Sequence, residues 1–378
     1  MVVIDACGIG ALPDSGLYGD SGANTLLHLA QRVGGLRLPV MARLGLGSIL
    51  ALPGVAPAER PVIHGRLHPL GYGKDSTAGH RELMGVVAHE PPPTYPDGFP
   101  PAVIGVITAA AGGREVLCNR PFNGIDAITQ FGEPSLRAGA LIVYTSQDSV
   151  LQVAAHEQVM PVSELQETCR RVRAALPPEH PVGRVIARPF RGEPGAFERS
   201  PGRLDLALEP AMRSQLEVLQ AAGVPVHTVG KAGQLFCGRG VDVEHPGATN
   251  AQALEQTAQL IAELDHGLVF TNLIETDQLY GHRHDAAGFH AALMAIDTEI
   301  GRWLQLLGAQ DLLVITADHG VDVTAGHTDH TREHVPLLAV ARGAAGARHD
   351  GPMADVGASV AQWLTGAADP GLPGTPFL

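Results

Sequence analysis

Along most of this chain, short β-branched runs alternate with longer Ala- and Leu-rich stretches, and few architectures accommodate that alternation. A short apolar run bounded by turn residues reads as a buried strand. An Ala/Leu-rich stretch of ten or more residues reads as a helix, and strands separated by helices build an α/β sheet covered on both faces. The pattern predicts strands over 2–4, 103–107, 140–144, 182–187, 224–229, 267–272 and 312–316. Helices are predicted over 24–33, 162–176, 211–222, 250–264, 286–307 and 356–364. In the segment from 286, apolar residues at 289, 293, 296, 300, 304 and 307 keep close to the helical period. At 378 residues the chain exceeds what a single hydrophobic core usually covers. The Pro- and Gly-rich stretch over 90–101 and a second break at Leu208-Glu209-Pro210 bracket a segment with strands of its own. The expected organisation is a discontinuous core, 1–92 and 212–378, with a smaller α/β domain inserted at 93–211.

Bulk properties exclude several classes. Hydrophobic residues make up 45% and charged residues 17%, the balance of a folded chain and not of a disordered one. The net charge of −13 argues against a nucleic-acid partner, which needs a basic stripe; a local basic pocket for an anionic substrate stays open. No apolar run reaches about 18 residues, so no membrane span is expected. Cys7, Cys118, Cys169 and Cys237 form no CxxC pair and no disulfide framework. With no basic-then-apolar leader, the expectation is a cytoplasmic protein. No segment points to an obligate protein partner. The strand at Val2-Val3-Ile4 enters directly at Met1, which predicts strand residues upstream of it.

Of the 18 histidines, seven fall between His282 and His334, a density that calls for a reason. His284, His290, His327 and His334 read as surface or capping residues. The others sit differently. Asp318-His319-Gly320 follows the apolar run 312–316, so a buried strand ends by presenting a carboxylate beside an imidazole, and ligand sites in open α/β sheets lie at such ends. Asp5 ends the first strand, and Asp277 and His282 follow the strand at 267–272. Together with His330, these carboxylates and imidazoles are donors of the type a binuclear divalent site uses. Mixed oxygen and nitrogen ligands suit Mn²⁺ or Zn²⁺, pure oxygen sets Mg²⁺. The turn Gly71-Tyr72-Gly73-Lys74-Asp75-Ser76-Thr77-Ala78-Gly79-His80 places a hydroxyl ahead of a helix predicted over 81–87. Ser76 or Thr77 reads equally as an ordinary N-cap and as a nucleophile where helix amides favour phosphate.

Several of these segments carry a family likeness. They are Asp5-Ala6-Cys7-Gly8-Ile9-Gly10-Ala11 with Gly19-Asp20, the segment 73–80, Tyr144-Thr145-Ser146-Gln147-Asp148-Ser149-Val150, Ala187-Arg188-Pro189-Phe190, and Asp277-Gln278-Leu279-Tyr280-Gly281-His282-Arg283. Thr316-Ala317-Asp318-His319-Gly320 and Thr328-Asp329-His330-Thr331-Arg332-Glu333 complete the set. The chain resembles the phosphopentomutases, a family of the alkaline phosphatase superfamily of binuclear metalloenzymes, nearly end to end. The resemblance implies an alkaline-phosphatase-like core, a mostly parallel sheet flanked by helices, carrying an inserted α/β cap. It implies a first metal on Asp5, Asp318 and His319 and a second on Asp277, His282 and His330, with Ser76 as the phosphorylated nucleophile bridging both. It further implies sugar-phosphate contacts from Ser146, Asp148, Arg188, Arg203 and Lys231, Mn²⁺ as the working metal and a sugar bisphosphate as activator. The sequence departs from the family at Ser76, where Thr is usual, at Arg81, where Trp is usual, and at Glu275, where Asp is usual.

The function this implies is reversible exchange of phosphate between C1 and C5 of ribose or 2-deoxyribose, with a hinged cap excluding water from the phosphoserine. The alternatives are a phosphoglycerate mutase or phosphomonoesterase on the same scaffold, or a metal-binding sugar-phosphate sensor without catalysis.

Overall fold

In the computed structural model, which describes residues 1–146, 149–344 and 346–378, Val2–Ile4 lies in the middle of an eight-stranded sheet. The strand order is Val243–His245, Val226–Val229, Leu268–Leu273, Val2–Ile4, Leu312–Thr316, Val335–Ala341, Ile63–His68 and Gly351–Pro352. Only Val335–Ala341 runs against the others. The central strands read as unbroken apolar runs because both faces are covered: Val2, Val3, Phe270, Val314 and Ile315 are all buried. Helices Thr25–Arg32, Asn250–Glu263, Ala286–Leu306 and Ala354–Thr365 belong to this unit and share one hydrophobic core with the sheet. In Ala286–Leu306 the buried residues are Phe289, Leu293, Ile296, Asp297, Ile300 and Trp303, the period-3.6 stripe with one carboxylate in it. Asp297 is there because it accepts the amides of Val40 (3.0 Å) and Met41 (2.7 Å), the otherwise unpaired donors at the start of helix Pro39–Leu44.

The chain divides into two compact units, Met1–Glu90 with Pro210–Leu378, and Pro91–Glu209. The second unit has its own mixed sheet, in the order Val116–Pro121, Leu141–Thr145, Val150–His156, Arg184–Arg191, Glu198–Arg199, with Leu204–Ala207 also pairing Arg184–Arg191. Helices Pro101–Ala110 and Val162–Ala175 pack into one apolar cluster of this unit and Gly124–Ala138 into another.

Two local expectations are corrected. The strand expected at 103–107 is the interior of helix Pro101–Ala110. Its β-branched residues suggested a strand, but Pro at the first helical position, with no partner strand, starts a helix whose Val103 and Ile107 lie one turn apart and are both buried. The helix expected at 81–87 begins earlier, as Ser76–Leu83, and its cap is Asp75: the Asp75 carboxylate accepts Thr77 N–H (2.9 Å) and Ala78 N–H (3.1 Å). Ser76 is therefore the first helical residue and its hydroxyl is not used in capping. Among the described residues no helix is long and apolar enough to cross a membrane.

Candidate metal centre

The register of the large sheet brings the chemistry together. Val3 pairs with Asn272 on one side and Thr316 on the other, both in parallel, so three adjacent strands end at one level. Asp5 leaves the first strand there and Asp318-His319 leave Leu312–Thr316. The strand Leu268–Leu273 leads into the helical turn Thr276–Tyr280, carrying Asp277, and then Gly281–Arg283, carrying His282. The turn after Asp5 is tight. Ala6 sits at φ 65°, a left-handed conformation unfavourable for a residue with a Cβ, and its amide donates to Asp318 Oδ1 (3.2 Å).

His330 comes from the long connection before Val335–Ala341. That connection is fastened from behind by Glu333, which is buried and accepts Gly10 N–H (3.0 Å), Thr25 N–H (2.9 Å), Thr25 Oγ1 (2.7 Å) and Thr331 Oγ1 (2.6 Å). Ser76 arrives on its helix with Oγ 3.1 Å from His319 Nε2 and 3.5 Å from Asp5 Oδ1. Gly79, one turn on, is why the helix comes this close: a Cβ there would run into the backbone carbonyl of Asp318.

Ligand atoms gather into two triads that share Asp277: Asp5, Asp277 and His319, and Asp277, His282 and His330. His319 Nε2 lies 3.3 Å from Asp5 Oδ1 and 3.4 Å from Asp318 Oδ2. His282 Nε2 lies 3.3 Å from Asp277 Oδ2, and His330 Nε2 lies 3.6 Å from Asp277 Oδ1. The ring centroids of His319 and His330 are 4.2 Å apart, those of His282 and His330 4.8 Å. All three rings turn Nε2 inward. Two are held so by Nδ1, which faces a backbone carbonyl: Thr328 for His282 (2.6 Å) and Gly320 for His319 (3.1 Å). An imidazole whose Nδ1–H is spent on a carbonyl presents a bare Nε2 lone pair, the orientation a metal ligand needs. Asp318 stands outside both triads, next to His319, with His80 Nδ1 3.1 Å from its Oδ2.

The electrostatics point the same way. Burial, and then the Asp318 carboxylate beside it, push the Asp5 carboxyl above its ordinary range. Burial works against ionisation of Asp277 and Asp318 too, but the rings of His282 and His330 for the first, and of His319 and His80 for the second, hold both well below the usual range. Burial likewise opposes charge on His319, yet Asp318 and Asp5 raise it well above an ordinary histidine. Three carboxylates this deeply buried need positive charge. Asp277 Oδ1 and Asp318 Oδ2 are buried and accept no well-formed hydrogen bond; the nitrogens nearest them are His330 Nε2 at 3.6 Å and His80 Nδ1 at 3.1 Å. Dry, unsatisfied oxygens beside inward Nε2 atoms fit a pair of divalent cations of the Mn²⁺ or Zn²⁺ type.

The other predicted residues fall as follows. Lys231 precedes helix Ala232–Leu235, with Nζ 3.4 Å from Gln278, the neighbour of Asp277. Ser146 follows strand Leu141–Thr145 in the second unit. Arg188 is half-buried on Arg184–Arg191, and Arg203 is exposed and paired with Asp205 (2.6 Å). Asp148 lies outside the described residues. Tyr144 connects this cationic group: burial raises its hydroxyl's pKa, while the charges of Arg188, Arg199 and Arg203 oppose that rise. Arg199 has no motif to mark it. Nor does any pattern mark Asn272, whose amide donates to Asp5 Oδ2 (3.0 Å). Asp20, noted above only as part of the Gly19-Asp20 segment, is buried, takes Lys74 Nζ (3.1 Å) and faces His327 Nε2 (3.1 Å). Asn272 could have been suspected from its place at the end of a buried strand, where an amide needs a partner.

The profile of the metalloenzyme superfamily matches residues 1–367. A protein of Anaeromyxobacter sp. (strain K), named phosphopentomutase, is 46% identical over all of this chain and 97% of its own length. Another from Caldanaerobacter subterraneus, so named, is 42% identical over 96% of this chain and 93% of its own. Among solved structures, phosphoglycerate mutase of Leishmania mexicana aligns with 99% of this chain and 96% of its own at a TM-score of 0.51 and 13% identity, a likeness of fold. The chain belongs to the metalloenzyme superfamily and, within it, to the phosphopentomutase family, and it is an enzyme that transfers phosphate within its substrate.

Proposed function

We propose that this chain interconverts the 1-phosphate and 5-phosphate of ribose or 2-deoxyribose through a phosphorylated Ser76. The observation that carries the reading is one hydroxyl, free of capping duty, set 3.1 Å from the inward Nε2 of His319 beside a nest of buried carboxylates. Asp5, Asp318 and His319 would hold one divalent cation, and Asp277, His282 and His330 a second, with Mn²⁺ proposed for both. When bound, such ions neutralise phosphoryl charge and lower the pKa of a nearby hydroxyl.

The residues then divide the work. Ser76 accepts a phosphoryl group from a sugar bisphosphate activator and donates it to the free hydroxyl of a bound pentose monophosphate. The bond from phosphorus to Ser76 Oγ breaks as the bond to the sugar oxygen forms, and the proton that leaves the sugar hydroxyl ends on Oγ, restoring the serine hydroxyl. The resulting bisphosphate reverses its orientation and returns its other phosphate to Ser76. The amides of Thr77 and Ala78 are taken by Asp75, so phosphate is not bound by those two donors. Arg188 and Arg203 are assigned to the non-reacting phosphate, which a guanidinium grips in bidentate fashion, and Ser146, Asp148 and Lys231 to the sugar phosphate.

Phosphorus NMR of the protein with Mn²⁺, a sugar bisphosphate and ribose 5-phosphate tests this. The anomeric phosphate signal is expected to appear and to be absent with Ser76→Ala. Release of inorganic phosphate with no anomeric signal would indicate a phosphomonoesterase instead.

A further inference from the structure

His80 is not among the residues assigned above, yet it touches two of them. It is completely buried, and its ring stacks on Phe270 with centroids 5.7 Å apart and planes 22° apart. Nδ1 hydrogen-bonds the main-chain carbonyl of Ser76 (2.9 Å) and stands 3.1 Å from Asp318 Oδ2. Nε2 is buried with no hydrogen-bond partner. A ring nitrogen carrying a proton in so dry a place would be an unsatisfied donor, which is costly. The two groups facing Nδ1 are both acceptors, so the ring proton belongs on Nδ1. One N–H thus lies between the backbone of the residue that bears the hydroxyl and the carboxylate assigned to a metal.

The surroundings make this contact hard to replace. Asp318 Oδ1 is already engaged by Ala6 N–H (3.2 Å) and by its neighbour His319 N–H (3.1 Å), so it is Oδ2 that faces both His80 Nδ1 (3.1 Å) and the inward Nε2 of His319 (3.4 Å). Gly79 lets the helix press onto the Asp318 backbone, and the next residue supplies the polar contact at that junction. Phe270, from the strand leading to Asp277, closes the ring's other face.

We infer that His80 is a positioning residue: through Nδ1 it sets the spacing between Ser76 and Asp318, so that hydroxyl and metal-facing carboxylate are aligned before substrate arrives. It touches neither substrate nor reacting atoms. The inference rests on the proposed roles of Ser76 and Asp318. Loss of a group that orients a ligand reduces metal affinity or activity about 10–100-fold.

The test compares His80→Asn with His80→Gln. The Asn amide reaches roughly where Nδ1 lies and the Gln amide where Nε2 lies. H80Q is expected to bind Mn²⁺ about 10–100-fold more weakly by calorimetry and to lose kcat, with KM for ribose 5-phosphate unchanged. H80N is expected to keep most of both. Equal behaviour of the two variants, whether both lose Mn²⁺ affinity or neither does, overturns the inference, as does a loss expressed in KM. Asp318→Asn, measured in parallel, separates the premises: if it binds Mn²⁺ like the unaltered protein, the ligand assignment itself fails. If it loses Mn²⁺ while H80Q does not, only the role of His80 fails.

Discussion

Glu82 offers a quantitative check on how the helix bearing Ser76 is held. It lies on that helix at 2% exposure and accepts the main-chain N–H groups of Leu70 and Gly71, the latter at 3.1 Å. Burial outweighs these hydrogen bonds and raises its carboxyl from 4.5 to about 7. In the unfolded chain the group titrates near 4.5, so between those values the folded state retains a proton that the unfolded state has released. Stability linked to Glu82 is therefore complete below about pH 4.5 and is lost as pH rises through about 7. A difference of that size is on the order of 3 kcal/mol. Glu82→Gln keeps an oxygen for the two amides and removes the charge. The variant is expected to match the unaltered protein near pH 4 and to exceed it progressively, by up to about 3 kcal/mol, by pH 8. The assay is urea unfolding in a chelator, followed by tryptophan fluorescence. Trp303 and Trp363 both belong to the unit that contains Glu82, so the signal reports the relevant transition. A stability difference that stays constant from pH 5 to 8, or shrinks as pH rises, would refute the reasoning.

Other substitutions probe the frame around the centre. Gly79→Ala drives a methyl group into the Asp318 carbonyl and is expected to lower kcat about a hundredfold by shifting the hydroxyl, which steady-state kinetics would register. Glu333→Ala leaves the donors on Gly10, Thr25 and Thr331 without their buried acceptor and is expected to destabilise the protein by about 3 kcal/mol or more, read by urea unfolding. Asn272→Leu removes the amide on Asp5 Oδ2 and is expected to weaken Mn²⁺ binding about tenfold, with a calorimetric titration as the check.

The fold was legible wherever one residue type dominated a segment. The apolar runs at 2–4 and 312–316 are strands because nothing polar interrupts them, and the stripe from Phe289 to Ile300 is a buried helix face. The segment 103–107 misled because Val and Ile suit a buried helix turn as well as a strand, and only the absence of a partner strand decides. At the centre, Asp and His at strand ends could be picked out because several such residues close neighbouring strands; any one pair alone is as often a cap or a satisfied polar pair. What orients them was not. His80 was visible only as the end of the segment 73–80, and it and Asn272 meet Asp318 and Asp5 across sequence separations of 238 and 267 residues, distances over which local patterning carries no signal. Arg81 uses Nε to bond the carbonyl of Leu235 (2.9 Å), which attaches the Ser76 helix to helix Ala232–Leu235.

The central claim is that Ser76 carries the phosphoryl group. Mass spectrometry of the protein after incubation with Mn²⁺ and a sugar bisphosphate, followed by proteolysis, tests it directly. One phosphoryl group is expected on the peptide containing Ser76, and it should disappear when ribose 5-phosphate is added as acceptor. Phosphate on any other residue, or none on Ser76 while the exchange of ribose phosphates proceeds, would contradict the account.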